Sequence, residues 1–510
     1  MKNMTLTIAL AAAAMTALSA CSDNDPVLTQ RDWDGDNSYF ASSDLQRQDI
    51  YYKPSVGYVG DPMPFYDQAN GDFKILYLQD FRPNPAYTYH PIWCLSTTDA
   101  ASYTSLGEII STGSATDLDA AIGTGSTIYE NGTYYTFYTG HSADASKTNG
   151  LGEAVMLATS TDFKNWTKNR SLIISGETNY NTTDFRDPCV FKGDDGIFHM
   201  LVSTRQNGKG VLAEFISSDL QNWTDNGVFM TMMWDRFYEC PDLFKMGDWW
   251  YLIYSEQHDA IRKVQYFKGR TLADLKACTA NDAGLWPDSH EGFLDSRGLY
   301  AGKTASNGTD RYIWGWCATR SGDDNLGSND WAGNLVAHKL IQHADGTLTL
   351  GEVPAIANLF GNGSQKESFS LSGDSYKLMS RLSYTNRVSF TVTLSDVAGK
   401  FGISLGRGSD STKYYTLVVN PESSTVRKIN FEEEGSEGSG FIGNADSYVF
   451  NAPEDGVYNI TMVTDNSVVT LYINDVLAYT NRVYGIARNC WSINSYGTDL
   501  QVSNLSVASK

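Results

Sequence analysis

"GDWWYLIYSE", residues 247–256, is a turn followed by an aromatic-rich strand, and the chain repeats that pattern four more times. The other copies are "NGDFKILYLQD" (70–80), "NGTYYTFYTG" (131–140), "DGIFHMLVST" (195–204) and "TDRYIWGWCAT" (309–319). Matched positions Tyr77, Tyr138, Val202, Tyr254 and Gly315 lie 61, 64, 52 and 61 residues apart. Between them fall two near-copies of a second element, "STDFKNW" (160–166) and "SSDLQNW" (217–223), with weaker relatives "STTDAAS" (96–102) and "GRTLADL" (269–275). Each unit holds several short strands punctuated by Gly, Asn and Asp turns, and almost no helical periodicity. Self-similarity at a fixed period is the mark of a repeat architecture, and strand-only units of this size predict propeller blades. A β-sandwich with long insertions would not reproduce the spacing. The expectation is an all-β chain whose residues 49–350 form a five-bladed β-propeller.

The pattern stops after "DWAGNLVAHKLIQHADGTLTL" (330–350). From about residue 368 short alternating strands take over, among them "RVSFTVTLSD", "YYTLVVNP" and "LQVSNLSV". Alternation with Gly, Ser and Asn punctuation predicts a two-sheet β-sandwich over 368–510, with 351–367 as the connection.

The amino terminus reads as an export signal. Lys2 supplies the positive charge, "MTLTIALAAAAMTAL" the apolar core and "LSAC" (18–21) the cleavage site, so residues 1–20 are expected to be removed. "LSAC" resembles the bacterial lipobox, which makes Cys21 the expected lipidation site. Residues 21–48 begin "CSDNDPVLTQRDWDGDNS", acidic and poor in aliphatics, and should form a flexible tether. An acidic stretch directly after the Cys resembles the surface-export signal of Bacteroidota lipoproteins. The expectation is an outer-membrane lipoprotein, exposed at the cell surface, monomeric, and held to the membrane only through its lipid.

A net charge of −21 argues against nucleic acid or an anionic lipid surface as partner. Neutral polymers remain compatible, and an aromatic content of 13%, with 30 Tyr and 12 Trp, suits both strands and carbohydrate stacking. The six Cys beyond Cys21 are too widely spaced for a zinc site or a disulfide framework.

Three carboxylates precede the aromatic strands in a shared context. They are Asp61 in "YVGDPMPFYD", Asp187 in "DFRDPCVFK" and Glu239 in "YECPDLF", lying 16, 15 and 15 residues ahead of Tyr77, Val202 and Tyr254. A single Asp-Pro is ordinarily a turn. Near-equal offsets in three repeats instead predict equivalent places around the propeller axis, so the three acids should converge on one pocket. Acids crowded in one apolar-walled pocket push each other's pKa values apart. One protonated and one ionised carboxyl is what glycoside hydrolysis requires. Clustered carboxylates also suit Ca²⁺, but no run of Asp and Asn at loop-ligand spacing accompanies these, and no metal is expected.

"FRDP" and "ECPDLF", in this order, resemble the signatures of glycoside hydrolase family 32, the invertases, inulinases and levanases that cleave β-fructofuranosides. The resemblance spans about residues 50–350 and implies a five-bladed propeller followed by a β-sandwich, with no cofactor. It implies that Asp61 is the nucleophile, Glu239 the general acid/base and Asp187 the transition-state stabiliser, acting on a fructan or fructo-oligosaccharide with retention of configuration. Arg186 would hold carboxylates or hydroxyls through its fork of donors. "GTGSTIYENGTYYTFYTG" (123–140) places Thr124 where the family has a sugar-contacting Ser. Gln79 in "LYLQD" stands at the place of a substrate-binding amide, and Trp316 in "WGWC" at that of a stacking wall, while Trp331 in "DWAG" reads as blade core. Cys240 reads as a small packing group. The chain departs from the family in its first motif, where "GDPMP" replaces "NDPNG" and so puts Gly60 and Met63 in place of two Asn. Two other readings stay open from the residues: an inverting furanosidase of a related five-bladed family acting on arabinan or xylan, and a surface lipoprotein that binds glycans without cleaving them.

Overall fold

The computed structural model describes residues 48–81, 90–142, 144–177, 179–232, 237–256, 263–278, 292–325, 327–407, 414–421, 426–434, 440–441 and 448–510. The expected signal segment, Cys21 and the tether up to residue 47 lie outside the described residues.

The first part of the chain forms five consecutive antiparallel strand groups. The first contains β1 (Tyr58–Asp67), β2 (Asp72–Asp80), β3 (Ile92–Thr97) and β4 (Thr104–Ile110). The second contains β5 (Ala121–Glu130), β6 (Thr133–His141), β7 (Glu153–Ser160) and β8 (Thr167–Ile174). The third runs β9 (Phe185–Lys192), β10 (Phe198–Gln206), β11 (Lys209–Ser217) and β12 (Thr224–Thr231). The fourth has β13 (Tyr238–Met246), β14 (Trp249–Glu256) and β15 (Val264–Gly269), and the fifth β16 (Leu299–Ser306), β17 (Arg311–Arg320), β18 (Asn329–Gln342) and β19 (Leu348–Gly351). The repeated aromatic segments are β2, β6, β10, β14 and β17, the second strand of each group. β2 is buried along its whole length and β14 is buried apart from Trp249. That explains their enrichment in large apolar side chains.

The turns follow from their sequences. Asn131-Gly132 and Asn207-Gly208 both have positive φ at the two central positions (50° and 83°; 52° and 76°), the two-residue hairpin turn that matches strand twist. The second repeated element is also one local structure. Asp162 accepts from the backbone N–H groups of Lys164 and Asn165, and Asp219 accepts from those of Gln221 and Asn222. Trp166 and Trp223 each donate their indole N–H to the carbonyl three residues back. In the fourth group the corresponding "GRTLADL" opens a short helix, α1 (Leu272–Ala277), with a capping box between Thr271 and Asp274.

The first strands of the groups touch in a closed ring: β1 to β5, β5 to β9, β9 to β13, β13 to β16, and β16 back to β1. A hydrogen-bonded pair at Val59 and Gly333 also joins β1 to β18, so the last group is sealed onto the first. Sheets set radially around a ring of inner strands are the propeller arrangement predicted by the repeats.

The remaining strands build a two-sheet sandwich. One sheet holds Thr385–Leu394, Val457–Asp465, Val468–Ile473, Leu477–Arg482 and Leu500–Ser509. The other holds Ser375–Met379, Lys400–Arg407, Tyr414–Pro421, Val426–Glu434 and Cys490–Tyr496. Side chains such as Phe390, Phe401, Tyr458, Leu471 and Trp491 fill the space between them. The strand pairing begins slightly before residue 368, since Ser364–Gln365 already pairs with the last strand.

A buried polar seam joins sandwich and propeller. Arg482, 1% exposed, donates to the carbonyls of Ala318 (2.7 Å) and Cys317 (3.0 Å), to Asn334 Oδ1 (2.5 Å) and to Ser467 Oγ (2.7 Å). Asp465 accepts from the N–H groups of Ile50 (2.8 Å) and Tyr51 (2.9 Å), which pins the segment leading into β1. All six described cysteines are free thiols.

Candidate active site

Every inner strand breaks register near its start. The irregularities fall between Gly60 and Met63, Gly123 and Gly125, Glu239 and Asp242, and Tyr300 and Lys303; on β9 the break spans Arg186 to Cys189. Pro62, Pro188 and Pro241 lie inside three of these bulges, where the missing N–H breaks the ladder without loss. The bulged residues Asp61 (φ 27°), Asp187 (60°), Cys240 (51°) and Ala301 (53°) take a left-handed backbone that side chains rarely adopt. Each of the five bulges around the ring therefore begins with one residue turned out of the ladder: Asp61, Thr124, Asp187, Cys240 and Ala301. The five preceding them are Gly60, Gly123, Arg186, Glu239 and Tyr300.

This register corrects the expectation that Glu239 is equivalent to the two aspartates. Cys240 holds the place of Asp61 and Asp187, and Glu239 is the counterpart of Arg186. The equal offsets misled because the hairpins differ in length: the residue facing the bulge lies 16 positions after Asp61 (Tyr77), 15 after Asp187 (Val202) and 14 after Cys240 (Tyr254). The three acids still meet. A cavity of about 550 Å³ is lined by Asp61, Asp187 and Glu239 together with Thr124, Arg186 and Tyr300.

Each acid is held by a different donor. Asp61 Oδ1 accepts from Trp316 Nε1 at 2.9 Å. Asp187 Oδ2 accepts from the Cys240 N–H at 2.9 Å, and its own N–H donates to Thr139 Oγ1 at 2.9 Å. The left-handed turn at Cys240 aims that N–H at Asp187, a role for the residue beyond packing. Glu239 sits between two donors, with Arg186 Nη2 3.3 Å from Oε1 and the Tyr300 hydroxyl donating to Oε2. Arg186 is itself fixed by Asp184 (2.9 Å) and Glu153 (3.3 Å) and lies over the Phe237 ring, 4.1 Å from its centroid.

Burial sets the electrostatics. It pushes Asp61 up to about 6, with the Glu239 charge adding and the Trp316 hydrogen bond opposing. It pushes Asp187 up to about 7, opposed by the Arg186 charge and the Cys240 N–H and reinforced by Glu239 and Asp61. Burial also works against the Arg186 cation, but Glu153, Asp187 and Glu239 outweigh it and hold the guanidinium firmly protonated. The Cys240 thiol is raised well above its ordinary value by burial and by the three acids, so it is no nucleophile.

Of the further candidates, Thr124 lines the cavity, and its buried hydroxyl has no hydrogen-bond partner among the described residues, as a group reserved for a ligand hydroxyl would. Gln79 does not reach the cavity. It is fully buried, donating to the Val56 carbonyl at 2.6 Å and accepting from the Tyr77 hydroxyl at 3.2 Å, which makes it a strut under the first group. The two tryptophans exchange their expected roles. Trp316 is fully buried and acts by holding Asp61, whereas Trp331 is 36% exposed, lines the cavity and stacks on His90 with centroids 4.4 Å apart. The expected stacking wall is thus Trp331, because its indole packs over Gly60 instead of inside the sheet. A Cβ at Gly60 would lie 2.3 Å from its ring, which accounts for glycine there. Met63 is buried and its Sδ accepts from the Gly125 N–H at 3.1 Å, so it ties the first group to the second.

Tyr300, His90, His141 and Glu153 also line the cavity and were missed in the sequence. Tyr300 had a signal, since "GLYAGK" (298–303) occupies the inner-strand slot of the fifth repeat. Glu153 had none; only the fold brings it to Arg186.

Comparison with known proteins agrees with this architecture. Residues 51–352 match the profile of the glycosyl hydrolases family 32 N-terminal domain, and residues 346–507 that of a GH32, BT1760-like, C-terminal domain. The sequence is similar to a sucrose-6-phosphate hydrolase of Vibrio alginolyticus, 25% identical over 61% of this chain and 64% of that protein. It is also similar to a fructan 1-exohydrolase of Triticum urartu, 26% identical over 60% of this chain and 53% of that one. The chain spans between 43% and 64% of the length of the curated relatives it matches. Among solved structures, fructan 1-exohydrolase IIa from Cichorium intybus superposes with a TM-score of 0.70 at 16% identity, covering 91% of this chain and 98% of that one. Sucrose-6-phosphate hydrolase from Lactobacillus gasseri gives 0.69 at 19% identity, covering 92% and 94%. At that identity the superpositions speak for a shared fold of β-propeller and β-sandwich. The profile, matching more than half of the chain, settles descent: the chain belongs to glycosyl hydrolase family 32.

Proposed function

We propose that the protein is a retaining β-fructofuranosidase acting on neutral fructans and fructo-oligosaccharides. The observation that carries this reading is the meeting of Asp61, Asp187 and Glu239 with Arg186 in one cavity. Asp61 attacks the anomeric carbon of a fructofuranosyl unit while protonated Glu239 gives its proton to the leaving oxygen. Water, deprotonated by Glu239, then releases fructose with retained configuration. Asp187, oriented by the Cys240 N–H, accepts from fructosyl hydroxyls, and Thr124 offers them its unpartnered hydroxyl. Arg186 keeps Glu239 beside the leaving group.

The cavity's charge supports a neutral substrate. Among the described residues that line it are four carboxylates, Asp61, Glu153, Asp187 and Glu239, against one guanidinium, and that guanidinium is already engaged by Glu153, Asp184 and Glu239. A phosphorylated sugar, as named for some relatives, would meet repulsion there. The reading extends to the chain's organisation: a five-bladed catalytic propeller over 49–350, a connection to 367, and a sandwich to 510. It also extends to an exported, monomeric lipoprotein anchored at Cys21, whose place outside the cell suits a polymeric substrate.

The test is fructose release. Asp61→Ala and Glu239→Ala are each expected to abolish hydrolysis of levan, inulin and sucrose, with sucrose-6-phosphate a poor substrate for the unaltered protein. Binding of levan with no sugar released on long incubation would replace this reading with a glycan-binding one.

A further inference from the structure

The fifth group's inner strand reaches the cavity from a segment that lies against the sandwich. Phe293 packs in the sandwich core and its carbonyl accepts from the Tyr448 hydroxyl at 2.9 Å, whereas Leu294 packs in the propeller core. Asp295 and Ser296 follow, both fully buried. They meet Thr480 on the sandwich strand Leu477–Arg482, which ends its sheet and has no strand on its outer edge among the described residues. Thr480 gives its N–H to Asp295 Oδ1 at 2.7 Å and its hydroxyl to Oδ2 at 2.6 Å, and its carbonyl accepts from the Ser296 hydroxyl. His338 of β18 closes this clasp, with Nε2 3.2 Å from Asp295 Oδ2 and Nδ1 2.8 Å from the Tyr472 hydroxyl of the sandwich. Gly298 then passes so near that a Cβ there would lie 2.0 Å from the Thr480 carbonyl oxygen. Two residues further on, Tyr300 lines the cavity, which Thr480 itself does not.

We propose that Thr480, a residue of the sandwich, is a positioning residue for the reaction in the propeller. By clasping Asp295 and Ser296 it sets where β16 begins, and so where the β16 wall of the cavity stands. A buried carboxylate keeps its place only while donors surround it. Three donors lie within 2.7 Å of Asp295, two from Thr480 and one from the Ser296 N–H. Without the Thr480 hydroxyl the carboxylate is drawn towards another donor, and the segment moves with it. Because Gly298 leaves no room between segment and sandwich edge, little slack separates Thr480 from the wall. A misplacement of about 1 Å at a reacting centre costs on the order of 100-fold in rate. The sandwich therefore acts on the reaction through the entry of one strand, without touching substrate.

This inference rests on the proposed fructoside hydrolysis, and the test separates the two. Thr480→Val keeps the side-chain volume and removes the hydroxyl. Gly298→Ala leaves Thr480 intact and sets a methyl group between the segment and the sandwich edge. Thr480→Ser keeps the hydroxyl. On whichever of levan and inulin the parent cleaves, the first two variants should lower kcat roughly 10- to 100-fold with KM changed less than about threefold. Thr480→Ser should stay within about threefold of the parent by the same measure. Amide hydrogen exchange on the full chain should quicken at residues 299–303 in the first two variants and stay unchanged in β5 and β9. A loss of kcat that tracks a fallen melting temperature, an equal loss in Thr480→Ser, or unchanged exchange at 299–303 would overturn the assignment. If the unaltered protein releases no sugar from either polymer, the hydrolase reading falls instead, and the exchange comparison still decides whether Thr480 places that wall.

Discussion

At the scale of single residues, the acids conflict with stability, and that conflict is measurable. Asp61 lies at about 6 in the folded protein, raised from an ordinary value near 3.8 chiefly by burial. A raised folded value means the native state binds the proton more tightly than the unfolded chain does. Its contribution to stability is therefore fully present below pH 3.8 and is lost as pH rises through about 6. Above that the buried carboxylate disfavours folding by about 3 kcal/mol at most, the equivalent of its pKa displacement. Asp61→Asn keeps an acceptor for Trp316 and removes the charge. It should be inactive, yet more stable than the parent at pH 8 and unchanged at pH 4, as read by denaturant unfolding at the two pH values. For the parent, kcat/KM should fall tenfold per unit below about pH 6 as Asp61 takes up its proton. A variant destabilised equally at both pH values would show that the charge is fully compensated in the fold. The acids themselves were legible in the sequence because proline-flanked carboxylates recur in successive repeats. The exchange of roles between Trp316 and Trp331 was not. Which of two tryptophans faces a cavity depends on what packs behind it, here the bare backbone of Gly60, and no local pattern records that.

At the scale of elements, legibility follows from locality. The turn-plus-strand repeats and the Asp-capped "STDFKNW" and "SSDLQNW" loops are written in contiguous residues, so five strand groups could be read in order. Register could not, because it depends on hairpin lengths that differ between groups, and a one-residue slip exchanged Glu239 with Cys240. The hairpin between β5 and β6 shows how firmly the local signals act. Gly132 adopts φ +83°, and no atom lies within 4 Å of where its Cβ would be, so substitution meets only backbone strain. Gly132→Val should therefore lower stability by about 1 to 2 kcal/mol, the penalty for a side chain in that conformation. The activity per folded molecule should not change, since the cavity draws on the opposite end of β5. Urea unfolding and kcat on sucrose together check this. A loss of kcat without loss of stability would mean that the turn communicates with the bulge at Thr124.

At the scale of the whole molecule, the contacts that close the structure join residues hundreds of positions apart, and these were invisible in the sequence. The ring is sealed by Val59 and Gly333. The propeller is joined to the sandwich by Arg482 and Asp465, buried polar groups whose partners lie on Cys317, Ala318, Asn334, Ile50 and Tyr51. Neither region can present these groups to water without losing several hydrogen bonds at once, and neither can leave them buried without a partner. The seam should therefore make the two regions one cooperative unit, together with the apolar contact of Val463, Val468, Tyr472 and Ala478 with the propeller core. Arg482→Met keeps most of the side-chain volume and removes every donor. It removes the donors to the Ala318 and Cys317 carbonyls, the Asn334 amide oxygen and the Ser467 hydroxyl. With each hydrogen bond from a charged donor worth about 1.5 to 3 kcal/mol, the variant should lose at least about 3 kcal/mol. Calorimetry should show one transition moved to lower temperature, with tryptophan fluorescence, weighted towards the propeller, and the calorimetric signal falling together. Two separated transitions would instead mean that sandwich and propeller unfold independently, and that the seam orients the domains without coupling their folding.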